Sequence, residues 1–190
     1  MARPLLTVLV GIGIVVLIIV LIVKLMGGNS PQPDTTLDVS KYANSAATAT
    51  LLIDSPTNLN QEHHQVKITV SQTLNTLDIM QGYQGSVTDS RTYENNSTAF
   101  GAFLQSLKLM GFAKGNNDKT LADYRGYCPN GDRYVLTFND GQTDKFTYWT
   151  TSCSHQGTYK GNRGGTLELF RRQIAQKDFD RLAGSVSLGF

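Results

Sequence analysis

The sequence predicts an α+β protein with one N-terminal transmembrane helix, followed by a mainly antiparallel sheet, two helices and one disulfide. Three observations predict this fold class. One long apolar segment lies at the amino terminus, several later segments alternate apolar and polar residues, and two others repeat apolar residues with the helical period. Tight-turn sequences between the strand-like segments favour antiparallel pairing.

The first element is the apolar segment from Leu5 to Val23. Its nineteen residues would span roughly 28 Å as a helix, about the hydrocarbon thickness of a bilayer. We therefore expect residues 1–26 to be a transmembrane anchor that contacts the lipid bilayer through residues 5–26. A cleaved signal peptide is the alternative. It would have a shorter apolar core and small residues at its cleavage site, which here only residues 27 and 28 offer.

Two flanking cations and two cysteines bear on the orientation of the anchor. Arg3 precedes the apolar segment and Lys24 follows it, so the positive-inside rule alone is nearly balanced. A disulfide between Cys128 and Cys153 would need an oxidising compartment. We therefore expect a single-pass protein of the cell membrane, with a cytoplasmic amino terminus and residues 27–190 outside.

Charge composition argues against a nucleic-acid-binding protein. The chain has 17 Lys and Arg against 15 Asp and Glu. Because Arg3 and Lys24 are two of those cations, the part beyond the anchor is formally neutral and has no broad positive surface for nucleic acid. Residues 27–47 hold two prolines and few large apolar side chains, which predicts a stalk. Residues 48–190 are long enough for one domain.

The first strands of the domain follow the period of a sheet. Residues 48–53 form a short apolar segment, and residues 66–70 alternate apolar and polar side chains. Residues 77–80 and 86–93 are expected to form a further hairpin around the glycines at 82 and 85.

The helical period begins at Ser97 and ends at Met110. The residues on its apolar face are Phe100, Phe103, Leu104, Leu107 and Met110. Asn96 or Ser97 is expected to cap the first amides, and Gly111 stands where a left-handed residue ends helices. Phe112 would then contact Leu107.

Residues 121–151 are expected to form a three-stranded meander. Residues 128–131 (Cys-Pro-Asn-Gly) and 139–141 (Asn-Asp-Gly) are its turn signals. Two registers are open for the second hairpin. We prefer a three-residue loop that pairs Tyr134 with Phe146, because a two-residue loop, pairing Tyr134 with Thr147, would separate the apolar residues onto two faces.

This register brings Cys153 to within about one residue of Cys128, the separation that a cross-strand disulfide needs. The bridge would close a loop of 25 residues and stabilise the fold by about 3 kcal/mol on the chain-entropy model. Two unrelated buried thiols are the alternative. The even cysteine count and the expected exterior location favour the disulfide.

A second helix is expected from Thr166, because Leu167, Phe170 and Ile174 share a helical face. Asp178 is a candidate cap for a last turn. The glycine-rich residues 160–165 lead into this helix.

An anion is one ligand that this helix start would suit. Free amides at a helix amino terminus and nearby cations bind phosphates or carboxylates. The candidate anion-binding residues are Lys160, Arg163, Arg171 and Arg172. A glycine-rich turn with solvated basic side chains explains the pattern equally, and no nucleotide-binding motif is present.

The histidine and acidic patterns predict no metal site and no cofactor. His63 and His64 are adjacent, so in a strand they point to opposite faces, and we expect both at the surface. His155 would form a nucleophilic pair only with an unbridged Cys153.

Aromatic side chains concentrate in the last expected strand. Phe146 and Tyr134 are expected in the core. Trp149 lies on the opposite face, where it is the candidate contact with a partner.

Four segments carry a resemblance to a family. They are residues 123–131 (DYRGYCPNG), 148–153 (YWTTSC), 157–161 (GTYKG) and 169–174 (LFRRQI). Together they resemble uncharacterised bacterial single-pass membrane proteins with a small extracytoplasmic domain. The resemblance implies no activity and no ligand.

The expected function is that of an anchored binding or assembly module that contacts another envelope protein or a cell-wall polymer. No convergent nucleophile, base or metal set points to an enzyme. Two alternatives stay open: an envelope hydrolase with dispersed Asp, Glu or His catalytic residues, and an inhibitor that presents the turn at residues 129–131.

Overall fold

The structure is a computed structural model that describes residues 37–153 and 157–183, with side chains as far as Arg181. Backbone contacts divide the chain after Thr36, and the unit described here begins at Leu37. The expected anchor and the first ten residues of the expected stalk lie outside the described residues. Within the described part of the chain, no helix has the length and apolar character needed to cross a bilayer.

Six strands form the sheet of the described domain. They are β1 (Thr48–Asp54), β2 (His64–Ser71), β3 (Leu74–Gln81), β4 (Ser86–Glu94), β5 (Arg133–Asn139) and β6 (Asp144–Thr151). Their order is β4-β3-β2-β1-β5-β6, and every neighbouring pair is antiparallel. Because β5 returns beside β1, β1 pairs on both sides and lies at the centre of the sheet.

Three α-helices are described: α1 (Ser97–Leu109), α2 (Arg163–Arg171) and α3 (Gln176–Ala183). Helix α1 packs against α2, while α2 contacts β2 and α3 contacts β3. The predicted α+β class and antiparallel sheet are therefore confirmed. The chain after α2 forms a separate third helix where the sequence suggested a last turn, with Asp178 inside its first turn.

Helix α1 confirms the element that the sequence specified in most detail. The Asn96 side chain caps it by accepting a hydrogen bond from the Ala99 amide at 2.9 Å. Gly111, at φ +72°, ends it in the left-handed region. The amide of Phe112 donates to the Leu107 carbonyl at 3.0 Å, which is the paired C-terminal motif that a glycine makes possible.

The core fills the face of the sheet that the helices cover. The largest fully buried side chains there include Leu51, Ile53, Ile68, Leu77, Phe100, Leu104, Leu107, Phe112, Leu136, Phe138 and Phe170. The Phe112 ring contacts the rings of Phe138, Phe146 and Phe170 at centroid distances of 6.5, 5.2 and 5.8 Å. This aromatic cluster joins α1 and α2 to β5 and β6.

The expected three-stranded meander is wrong in its first strand. Residues 121–132 form turns and irregular backbone, and only β5 and β6 pair there. The register also differs, since Tyr134 lies opposite Thr150 and Phe138 lies opposite Phe146. A longer loop and a bulge after Phe138 cause the shift, yet the apolar residues still share one face, as alternation requires.

The expected stalk is also too long. Residues 37–47 belong to the folded domain, because Val39 and Ala47 are fully buried and Tyr42 packs edge-on against Phe138. A short 3₁₀ helix, Val39–Tyr42, lies against α1. The Lys108 ammonium binds the Asp38 carboxylate at 2.8 Å, and this hydrogen bond, followed by one from Ser40, lowers the pKa of Asp38 to about 2.

Candidate functional site

The second face of the sheet carries the candidate site. Successive side chains of a strand point to opposite faces, so this face presents the residues that alternate with the core. Three of its side chains, Met80, Val135 and Trp149, are buried without belonging to the main core cluster. We call it the open face, because the three α-helices pack on the other side, against the core.

Residues 113–132, which we call the covering segment, begin against the core cluster at Ala113 and then cross to the open face, where Leu121 and Tyr127 contact Trp149. Between this segment and the sheet is a cleft with a volume of about 690 Å³, within the range of small-molecule sites. The uncharged side chains that line it include Tyr83, Asn116, Asn117, Tyr124, Val135, Thr147 and Trp149, and four charged residues, Asp118, Lys119, Asp123 and Arg125, line it as well. Tyrosines and amides therefore surround an apolar floor.

Trp149 fixes the covering segment to the sheet. Its indole nitrogen donates to the Leu121 carbonyl at 2.6 Å, and its ring packs against Tyr127 at 4.8 Å. The residue is 2% exposed, so its ring is not free on the surface of the sheet. The indole instead forms part of the floor of the cleft, and its contact with a partner stays a prediction.

Residues 157–159 pack against β6 through a close backbone approach at Gly157. The Trp149 amide donates a hydrogen bond to the Thr158 hydroxyl at 3.0 Å, and the Tyr159 amide donates one to the Trp149 carbonyl at 3.0 Å. A side chain at Gly157 would overlap that same carbonyl oxygen. Glycine is therefore required for residues 157–159 to pack along the outer edge of β6.

A buried polar cluster lies at the end of β1 on the open face. The Asp54 carboxylate accepts from Arg133 Nε at 2.8 Å and from Gln65 Nε2 at 2.9 Å, and it contacts His63 Nε2 at 2.7 Å. The Arg133 guanidinium also donates to the Ser55 carbonyl. All four clustered side chains are buried, and the Asp54–Arg133 ion pair is hydrogen-bonded as a protein interior requires. Within the part of the chain that the structure describes, His63 Nδ1 has no hydrogen-bond partner.

Two tyrosines adjoin this cluster and also line the cleft. Tyr83 stacks on the His63 ring with centroids 4.0 Å apart, and its hydroxyl donates to the Asn58 carbonyl at 2.9 Å. Burial, and then the negative charge of Asp54, raise the pKa of Tyr124. His63 is fully buried, so its expected surface position is wrong; the Tyr83 ring and the Asp54 carboxylate are what enclose it.

The charged residues that line the cleft are two aspartates and two basic residues of the covering segment. Arg125 binds Asp123 through two hydrogen bonds, Nε to Oδ1 at 2.9 Å and Nη2 to Oδ2 at 2.7 Å, and this contact lowers the pKa of Asp123 to about 2. Asp118 accepts from the amide and hydroxyl of Thr120, which lowers its pKa too. With Lys119 also present, the cleft carries little net charge.

The predicted disulfide is confirmed, with the Cys128 and Cys153 Cα atoms 5.7 Å apart. It ties the end of the covering segment to the end of β6. Two further bonds hold the same turn: the Thr57 amide donates to the Pro129 carbonyl at 2.7 Å, and the Asp132 amide donates to the Ser152 hydroxyl at 2.8 Å. The end of the covering segment is therefore attached both to the β1–β2 connection and to the residues that follow β6.

The four candidate anion-binding residues fall into two groups. Arg163 begins α2 and donates to the Thr151 carbonyl, and Lys160 donates to the Gly157 carbonyl at 3.1 Å. Arg171 and Arg172 lie in the last turn, roughly 12 Å further along the helix. Both donate to Glu168 at 2.8 Å.

A small cavity of about 270 Å³ adjoins the start of α2 and includes Arg163. Of the four predicted residues only Arg163 lines this cavity, and anion binding there stays a prediction. His155 lies outside the described residues. Among the described residues, no group of three or more His, Cys, Asp or Glu side chains is placed to hold a metal ion.

Sequence reasoning missed the tyrosines and amides of the cleft. Tyr83 and Tyr124 lie in turns, where periodicity carries no information about burial. The Asp54–Arg133 pair had a weak signal, since each residue is a charge at the end of an otherwise apolar strand.

Comparison with known proteins adds no relative: no family model, no curated protein and no solved structure matches the chain.

Proposed function

We propose that the protein is a binding module of the cell envelope, anchored by residues 5–26, with its domain outside the cell and its ligand in the cleft. The observation that carries the proposal is the cleft itself, which combines aromatic side chains, amides and an apolar floor. Concave sites of this composition and volume are where proteins bind ligands. The ligand belongs to another envelope protein or to a wall polymer.

The location rests on two supports. The apolar segment has the length of a membrane-spanning helix. The Cys128–Cys153 bridge is of a kind that persists in oxidising compartments outside the cytosol. Both support an amino terminus in the cytoplasm and a domain on the other side of the membrane.

Binding is favoured over hydrolysis by the state of the cleft carboxylates. A general acid at neutral pH needs a carboxyl group whose pKa is raised. The two aspartates that line the cleft, Asp118 and Asp123, have lowered pKa values because their neighbours donate hydrogen bonds to the ionised form. The buried Asp54–His63 pair is closed off by Tyr83.

Binding through the cleft is also favoured over an inhibitor turn. An inhibitory loop must present free backbone groups to its target. The Pro129 carbonyl is occupied by the Thr57 amide, and the disulfide holds the turn against β6.

The test is recovery of envelope components by the full-length protein in detergent, compared with a variant whose cleft is filled. Asn117 is exposed and lines the cleft, so Asn117→Trp adds an indole to the cleft without entering the core. We expect this variant to lose most of the captured material.

Gln142→Trp is the matched control, because Gln142 is equally exposed but lies in the β5–β6 turn. It should capture as much as the wild type. Equal capture by the wild type and by Asn117→Trp would remove the cleft from the function and overturn the proposal.

A further inference from the structure

A continuous row of threonines crosses the open face. Six threonines, one from each strand, occupy directly paired positions: Thr92, Thr76, Thr69, Thr50, Thr137 and Thr147. We call this set the threonine row. Strands lie about 4.8 Å apart, so the row extends for roughly 24 Å.

The row is accessible along its length. Thr92 and Thr147 at its ends are exposed, and the four central threonines are partly exposed. Only one hydrogen bond within the row joins threonine side chains, between the Thr137 and Thr147 hydroxyls at 3.2 Å. The hydroxyls therefore keep donor and acceptor capacity for a ligand.

The row and the cleft are one surface. Thr147 belongs to the row and also lines the cleft. The neighbouring row on the same face contains Val135 opposite Trp149, and both of these side chains form the floor of the cleft. A ligand long enough to leave the cleft at Thr147 would therefore continue along the hydroxyls.

Most of the charges beside the row are compensated. Lys67 and Asp78 are cross-strand neighbours with Nζ and Oδ2 3.6 Å apart, and the Ser90 hydroxyl donates to Asp78 at 2.7 Å. In the cleft, Asp123 is paired with Arg125. Glu94, exposed on the same face two residues after Thr92, adds one negative charge, so the surface carries little excess charge with which to attract a polyanion or a polycation.

We propose that the cleft and the threonine row together bind a neutral polyhydroxylated polymer, a glycan strand. Sugar hydroxyls both donate and accept hydrogen bonds, as threonine hydroxyls do, and the tyrosines of the cleft offer rings with a polar end for a sugar face. This inference rests on the proposed function, whose ligand class it specifies.

The length of the row favours a polymer over a small solute. A monosaccharide would fill part of the cleft and leave the row unused. A chain of several sugar rings would contact both, and its affinity would rise with length until the row is covered.

The experiment is calorimetric titration of the full-length protein in detergent with neutral oligosaccharides of increasing length. The probes are glucose-based oligomers and N-acetylglucosamine oligomers, which share hydroxyl chemistry and differ in the acetamido group. We expect millimolar or tighter binding by one series, with affinity rising from the disaccharide to the hexasaccharide. No binding by either series, or binding independent of length, overturns the inference.

A threonine-to-valine double variant isolates the row. Thr50→Val with Thr137→Val removes two hydroxyls and keeps the side-chain shape, so we expect about fivefold to tenfold weaker hexasaccharide binding, as for two lost hydrogen bonds. Thr98→Val is the control, since Thr98 is exposed on α1. Circular dichroism checks that each variant is folded. Wild-type affinity in the double variant overturns the inference.

The two proposals fail separately. If Asn117→Trp abolishes envelope capture while the row variants and the oligosaccharides have no effect, the cleft binds a protein or another class of ligand, and only the glycan inference is lost. If Asn117→Trp changes neither capture nor oligosaccharide binding, the cleft is not the site and both proposals are lost.

Discussion

The two faces of the sheet are made by the same six strands and are stabilised in different ways. The face under the helices is mainly apolar and holds the aromatic cluster around Phe112. The open face alternates ion pairs, threonines and a few buried side chains, and its cover is one irregular segment held by the disulfide and Trp149. One face stabilises the fold, and the other is left for contacts.

The largest expected change in the free energy of unfolding comes from a substitution on the core face, and the matching substitution on the open face should have little effect. Phe112→Ala should lower the free energy of unfolding by about 4 kcal/mol, because it leaves a cavity among packed rings. Thr69→Val, in the threonine row, should change it by less than about 0.5 kcal/mol. Urea unfolding monitored by circular dichroism measures both. Comparable losses would show that the open face is part of the folding core.

Unlike the threonine row, the buried Asp54–Arg133 ion pair of the open face should contribute strongly to stability. Arg133→Met should cost about 3 kcal/mol or more, because Asp54 would stay buried without its guanidinium. The double variant Asp54→Leu with Arg133→Met should recover much of that loss, since it removes both charges. The same unfolding experiment tests the pair, and a double variant as unstable as the single one would contradict the expectation.

Removing the disulfide should affect the open face selectively. The bridge closes 25 residues, so Cys128→Ala with Cys153→Ala is expected to cost about 3 kcal/mol or less on the chain-entropy model. Hydrogen exchange should accelerate mainly in residues 113–132, because the bridge holds the end of that segment. Faster exchange spread evenly over β1, β2 and α1 would contradict this local role.

The same difference between the faces explains how far the sequence could predict the structure. Strands β1 and β2 and helix α1 were predictable, because a buried face imposes a period on the apolar residues. The end of α1 was predictable from Gly111, whose left-handed conformation excludes most side chains.

The candidate site was harder to predict, because its burial depends on contacts distant in sequence. Trp149 is buried by residues near Leu121, and His63 is buried by Tyr83. Neither contact produces a periodic pattern of apolar residues in the sequence. The threonine row depends on the register of six strands, and the predicted β5–β6 register was itself wrong because a bulge follows Phe138.

The stalk prediction failed for a related reason. Residues 37–47 have few large apolar side chains, so composition favours a linker. Val39 and Ala47 nevertheless fill fully buried positions, and Ala46 lies close to Gly141 in the β5–β6 turn. A few contacts made by small side chains hold this segment against the domain, and amino-acid composition does not reveal them.

The smallest expected effect concerns tyrosine ionisation on the two faces. Tyr134 is on the core face, where burial and then the Asp132 charge raise its pKa from 10.0 to about 12. A raised pKa means that the fold favours the neutral phenol. The stability it contributes is therefore fully present below pH 10.0 and is lost as the pH rises toward 12.

Tyr134→Phe should cost only about 1 kcal/mol at neutral pH, for its hydrogen bond to Asp132. It should also reduce the loss of stability in the alkaline range, because one buried phenol no longer needs to ionise. Tyr124→Phe is the comparison on the open face, where the pKa is raised in the same direction but the ring lines the cleft. Thermal melts from pH 8 to pH 12, roughly the range of tyrosine ionisation, measure both variants. If Tyr124→Phe flattened the alkaline loss more than Tyr134→Phe, the cleft tyrosine would be the more deeply desolvated, and the division into a stabilising face and a contact face would have to be redrawn.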